Sequence, residues 1–168
     1  DNVEEAEKSA VALQAQLLAR VRGNSSAQLQ QWLQDRSTAV DSLLWILADR
    51  HSDQALGFLQ FTGIDGFDRR AELGICLIPE AQGGGRGREA LAAALPYLQG
   101  SWGLRKVSLK VRHDNTPAIR CYEHLGFERC GLLREDVFLE GRWMDVVLME
   151  KLLAPISLLP TPSEPPAR

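Results

Sequence analysis

The sequence predicts an α+β domain: a mixed, mostly antiparallel sheet with one central parallel pair, flanked by helices. Three observations predict it. Short apolar runs between Leu43 and Ile78 are separated by polar turns, as in a meander. A strand, a glycine-rich turn, a helix and a further strand then follow between Leu73 and His113, which reads as a single crossover. After these, Glu128 to Met149 folds back on itself as a hairpin. A doubly wound parallel sheet would need that crossover repeated, and it is not.

The elements follow in order. Val3 to Val21 has Val3, Ala6, Ala10, Leu13, Leu17 and Val21 near one stripe, an amphipathic helix that Gly23-Asn24 breaks. Ser25 or Ser26 caps a second helix through about Gln34, so residues 1–36 hold two helices. No strand precedes them, and the chain opens on Asp1 rather than methionine. Either an upstream piece was removed or Thr38 to Val40 and nearby residues serve differently. Leu43 to Ala48 is an apolar strand, His51 to Gln54 a turn, and Ala55 to Phe61 the next strand. Gly63 to Arg70 is a long turn, Ala71 to Ile78 returns beside the previous strand, and Pro79 ends it.

From Arg88 the pattern is helical, with Leu91, Leu95 and Leu98 on one face, and Pro96 is expected to kink or shorten that helix. Lys106 to His113 alternates, Val107, Leu109 and Val111 against Ser108, Lys110 and Arg112, as a strand does. Asp114 or Asn115 caps the next helix and Pro117 suits its first turn. Ala118, Tyr122 and Leu125 share a stripe, and Gly126 ends it. Glu128 to Val137, a Glu140-Gly141 turn and Arg142 to Met149 form the closing hairpin. From about Ala154 the composition changes, with five of the eight prolines in the last stretch. Residues 1–153 are thus one domain with its sheet core at 43–150, and 154–168 a proline-rich flexible tail.

Composition narrows the function. One domain of 168 residues, 45% hydrophobic and 24% charged, has enough chain for a real core. A net charge of -3 and no basic cluster argue against nucleic acid. Cys76, Cys121 and Cys130 lack the number and spacing of a disulfide scaffold or zinc site, and Cys121 reads as a small core residue. No apolar run reaches membrane-spanning length and no signal peptide is visible, so a cytoplasmic location without membrane contact is expected. There are no internal repeats.

The segment Gln82-Gly83-Gly84-Gly85-Arg86-Gly87 joins the strand to the helix. That geometry offers free backbone N–H groups and a positive dipole end to a phosphate, and Arg86 and Arg88 add charge beside it. Three phosphate loops compete. A P-loop needs a lysine that is absent here. The dinucleotide pattern GxGxx[GA] is met by Gly85, Gly87 and Ala90, with Asp114 beyond its usual spacing of about 20 residues. The pattern [QR]xxGx[GA] is met by Gln82, Gly85 and Gly87.

The next segment separates them. Asn115, Ala118, Tyr122, Gly126 and Phe127 fulfil NxxAxxxYxxxGF after a strand, one strand-and-helix unit beyond the glycine loop. With both motifs, residues from about Leu56 to Met149 resemble the GNAT superfamily of acetyl-CoA-dependent N-acetyltransferases. The resemblance implies the GNAT fold, whose central parallel pair splays apart to admit the pantetheine arm. It implies acetyl-CoA as co-substrate, no metal, and room for a homodimer. Cofactor contacts then fall on Ile75 and Leu77, on Gln82, Gly83, Gly84, Gly85, Arg86, Gly87 and Arg88, and on Asn115 and Ala118. Tyr122 sits where the family keeps the acid that protonates the departing thiolate, although a core aromatic is the commoner fate of a helical tyrosine.

Glu72, beginning the cofactor strand with Ala71 and Leu73 facing the other way, is the candidate base or water-holder. Its bland alternative is an edge carboxylate paired with Arg69 or Arg70. His113 is a weaker candidate near the thioester, and His51 and His124 read as surface residues. Ile64 to Glu72, with Gly131 to Asp136 and Gly141 to Met149, resemble a branch holding spermidine, ribosomal-protein alanine and amino-sugar-nucleotide N-acetyltransferases, the ending favouring the last two. The implied acceptor is a primary amine of a small molecule or peptide, an amino-sugar nucleotide or protein N-terminus ahead of a polyamine. Asp65, Asp68, Glu135 and Asp136 could receive its charge. A non-catalytic acetyl-CoA-binding module and a dinucleotide-binding protein are the alternatives.

Overall fold

The computed structural model describes residues 31, 34, 35 and 38–153. The first expected helix and the tail from 154 lie outside them. The second helix runs further than Gln34: residues 31, 34, 35 and 38 are helical, and Thr38 Oγ1 donates to the Gln34 carbonyl. Thr38 therefore does not begin a strand, and Val40 lies open to solvent.

Six strands form one sheet: β1 (Leu43–Ala48), β2 (Ala55–Asp65), β3 (Arg70–Leu77), β4 (Lys106–Arg112), β5 (Glu128–Leu139) and β6 (Arg142–Leu152), in the order β1-β2-β3-β4-β6-β5. Only β3 and β4 run parallel; every other neighbour pair is antiparallel. One crossover among antiparallel pairs is not the repeated parallel winding of a dinucleotide domain, so that alternative fails on topology. Strand β2 continues to Asp65, beyond the expected end at Phe61, and the long turn shrinks accordingly. Asp65 accepts backbone N–H bonds from Phe67 and Asp68, which turns the chain in four residues. At the other end Glu140 and Gly141 both take positive φ, as a two-residue hairpin turn requires.

Helix α1 (Arg86–Trp102) follows the glycine loop and helix α2 (Thr116–His124) follows β4. Pro96 does not shorten α1, which carries on to Trp102. Ala92, whose carbonyl Pro96 cannot bond, is an exposed residue, as is Pro96 itself, so this turn of the helix is open to water. Both helices lie on one face of the sheet. Leu91, Leu95, Leu98, Ile119 and Tyr122 pack on Leu59, Phe61, Leu73, Val107, Leu109 and Met149. Trp45 closes this core edge-on to Phe61 and Tyr97.

The parallel seam is short. Arg70 to Leu73 pair with Lys106 to Leu109, after which β3 runs on through Leu77 and β4 through Arg112 with no further pairing. The strands have parted by Ile75 and Leu77, the residues of β3 that share a space with the glycine loop.

Candidate active site

The gap opened by that parting is a cleft of about 690 Å³. Its floor is Ile75 and Leu77 of β3, which point to the helical face in register with Leu59 and Gly57. One wall is the whole loop from Gln82 to Arg88, and the other is α2 with Asn115, Ala118 and Tyr122. Every cofactor-binding residue expected from the sequence borders this one space.

The loop's shape follows from its glycines. Gly83 and Gly85 hold φ of 78° and 77°, a region that side chains disfavour. Gly85 is the N-cap of α1 and offers no capping side chain, so the first helical bond is Glu89 N–H to the Gly85 carbonyl. The N–H groups of Arg86, Gly87 and Arg88 precede that bond and have no intrahelical acceptor. An uncapped helix start bordered by two arginines suits a pyrophosphate. Gln82 contributes differently from what the motif suggests. Its Nε2 donates to the Leu77 carbonyl at 2.9 Å, so the side chain ties the loop to the strand end. Asn115, rather than Asp114, caps α2, accepting from the Ala118 N–H at 3.3 Å. Asp114 instead pairs with Arg112 at 3.0 Å.

Tyr122 is 8% exposed, held edge-on to Phe127 at 5.9 Å, and borders the cleft. Burial first, and then the neighbouring Cys121 and Cys76 thiols, push its hydroxyl up to about 12, so it stays a proton donor through the physiological range. Burial likewise pushes Cys76 up to about 11 and raises Cys121, against which Arg88 acts. The sequence reading missed that both thiols border the cleft. Successive helical residues stand about 100° apart, and a cleft open along α2 takes in Ala118, Cys121 and Tyr122 within one such arc.

The raised groups predict an alkaline weakness. Their folded values exceed the unfolded ones, so stability is full below about pH 9 and falls as pH rises through the folded values. Tyr122 alone accounts for a loss of about 2 kcal/mol by pH 12. Urea midpoints for wild type and Tyr122→Phe should diverge less at about pH 8 than at about pH 11.5, the variant losing less.

Glu72 stands apart from the cleft. It faces the opposite side of β3, half exposed, 3.7 Å from Lys110. Its partner is therefore neither Arg69 nor Arg70, since Arg70 pairs with Asp68 at 3.3 Å and reaches toward Asp65. His113 is exposed, with Nδ1 3.2 Å from the Asp145 carbonyl, and does not border the cleft. His124 is exposed, as expected of a surface residue, and also borders the cleft. Of the carboxylates suggested for the acceptor, Asp65 is engaged by its own turn and Asp68 pairs with Arg70 at 3.3 Å. Among the described residues no group of three or more metal-ligating side chains comes together, and no helix is long and apolar enough to cross a membrane.

Comparison with known proteins agrees with this geometry. The acetyltransferase (GNAT) domain family matches residues 6–128. A spermidine N(1)-acetyltransferase of Vibrio cholerae is 36% identical over 94 residues, 56% of this chain and 54% of that protein. A mycothiol acetyltransferase of Actinosynnema mirum is 38% identical over 90 residues, 54% of this chain and 26% of that one. The chain thus spans about half the length of the first relative and about a quarter of the second. The solved spermidine N-acetyltransferase of Vibrio cholerae in complex with CoA and spermine superposes with a TM-score of 0.71 at 29% identity, covering 77% of this chain and 76% of that one. The family match spans residues 6–128, most of the sequence, and the structural likeness agrees with it: the chain is a member of the GNAT acetyltransferase family.

Proposed function

We propose that this protein transfers an acetyl group from acetyl-CoA to a primary amine by direct attack. The observation that carries the reading is one cleft holding both an uncapped helix start for a pyrophosphate and, across from it, a buried neutral tyrosine. Acetyl-CoA, when bound, supplies an acetyl group activated as a thioester.

The chain's residues supply the rest. Backbone N–H groups at the start of α1, with Arg86 and Arg88, hold the diphosphate, and Ile75 and Leu77 line the path of the arm. The amine nitrogen bonds to the acetyl carbon as the carbon–sulfur bond breaks. Tyr122 gives its proton to the departing sulfur and recovers one from solvent, while the amine's surplus proton leaves through water past Glu72. Holding the reactants together and keeping that proton in place are the two contributions.

The acceptor is an aliphatic primary amine. Relatives named for spermidine support a polyamine, while the closing hairpin supports amino-sugar nucleotides or peptide N-termini. A thiol-release assay across these three classes is expected to show turnover with at least one, rising with pH as the ammonium loses its proton. Tight CoA binding with no turnover on any amine would reduce the protein to a cofactor-binding module. Preference for a hydroxyl acceptor would make N-acetylation the wrong reaction.

A further inference from the structure

On the face of the sheet turned away from α1 and α2, one polar side chain has no structural reason to be there. Leu59 and Phe61 point to the helices, so Gln60 and Thr62 point the other way, in register with Gly74 and Glu72 of β3. Gly74 is the first residue of β3 beyond the seam with β4. The Gln60 side chain lies over it: a Cβ at Gly74 would stand 2.7 Å from Nε2 and 3.0 Å from Cγ. Gly74 thus leaves the space that the amide fills. Among the described residues, Gln60 Oε1 is the one buried side-chain oxygen or nitrogen without a hydrogen-bond partner. A methionine of similar length would fill the same volume without stranding an acceptor, and native proteins keep such orphans sparingly.

We propose that the Gln60 amide binds the nitrogen of the acceptor amine, Oε1 taking one of its N–H groups at the point where β3 parts from β4. The inference rests on the acetyltransferase reading. Nε2 stays over Gly74, and Oε1, the unpartnered end of the amide, is the atom offered to the amine. An acceptor at that point uses an N–H and leaves the nitrogen lone pair free for attack. Glu72, one position further along the same face, then lies beside the bound amine and within reach of its proton or of a second amino group.

The test uses Gln60→Met, Gly74→Ala and the double variant in the full chain. Each is first melted with and without acetyl-CoA. Binding of spermidine, an amino-sugar nucleotide and a peptide with a free N-terminus to the CoA-loaded protein is then measured by calorimetry, alongside KM for whichever turns over fastest. Gln60→Met should melt no lower than wild type and keep the acetyl-CoA shift. Its amine affinity should fall about tenfold, with KM rising to match, as for one lost hydrogen bond. Gly74→Ala, whose methyl displaces the amide, should fall similarly, and the double variant should lose little more. Amine affinity and KM within about twofold of wild type in Gln60→Met would overturn the inference while the acetyltransferase reading stood. A lower melting temperature with a lost acetyl-CoA shift would also overturn it, by making Gln60 structural. Wild type that neither binds acetyl-CoA nor acetylates any amine would sink both.

Discussion

Acetyl-CoA at about 100 times its dissociation constant should stabilise the wild-type protein by about 2.7 kcal/mol and leave a Gly87→Leu variant unmoved. Gly87 is the sharper target among the loop glycines. Gly83 and Gly85 hold positive φ, so any side chain there strains the backbone and confounds folding with binding. Gly87 lies inside α1 at an ordinary helical φ, and its Cβ would meet only Leu77 at 3.4 Å and Ile75 at 3.6 Å. An alanine fits, whereas a leucine projects into the space between β3 and α1 that a pantetheine arm needs. Turnover should fall by about 10²-fold or more with the unliganded melting temperature nearly kept. NADH should shift neither protein. A shift with NADH and none with acetyl-CoA would remove the cofactor assignment.

Tyr122→Phe is expected to lower turnover by up to about 10²-fold while the acetyl-CoA shift persists. The ring packs on Phe127 and the core, so phenylalanine keeps the packing and removes only the hydroxyl. Because a thiolate leaves readily, the loss should shrink as pH falls and solvent becomes a competent donor. Undiminished turnover at every pH would return Tyr122 to the core as an aromatic and nothing more.

Periodicity and glycines carried most of the fold. The strand Leu43–Ala48 and the Glu140-Gly141 turn stand where their residue patterns put them, because alternation and turn chemistry act locally. What local pattern could not hold was decided by neighbours. Pro96 sits inside an intact helix because its side of α1 faces water. Glu72 finds Lys110 two strand positions along the neighbouring strand rather than the arginines before it in sequence. The cleft was legible because its loop and its tyrosine lie on contiguous motifs. Gln60 was not, since nothing about a glutamine in a strand announces that its carbonyl will be stranded opposite a glycine.

The short seam between β3 and β4 divides the sheet in a second sense. Residues 43–77 make one three-stranded meander and residues 106–152 another three-stranded unit, the second closed by β4–β6 pairs as far apart in sequence as Lys106 and Leu152. Four paired residues and helix α1 join them. The meander pairs residues close in sequence, whereas the seam and the β4–β6 closure both carry the entropic cost of a long loop. The place that must stay open to hold a ligand is therefore also where the sheet is joined by the fewest pairs. A molecule bridging the β3 side and the α2 side then acts as a fastening between two folding units, protecting each against opening as well as occupying a cleft.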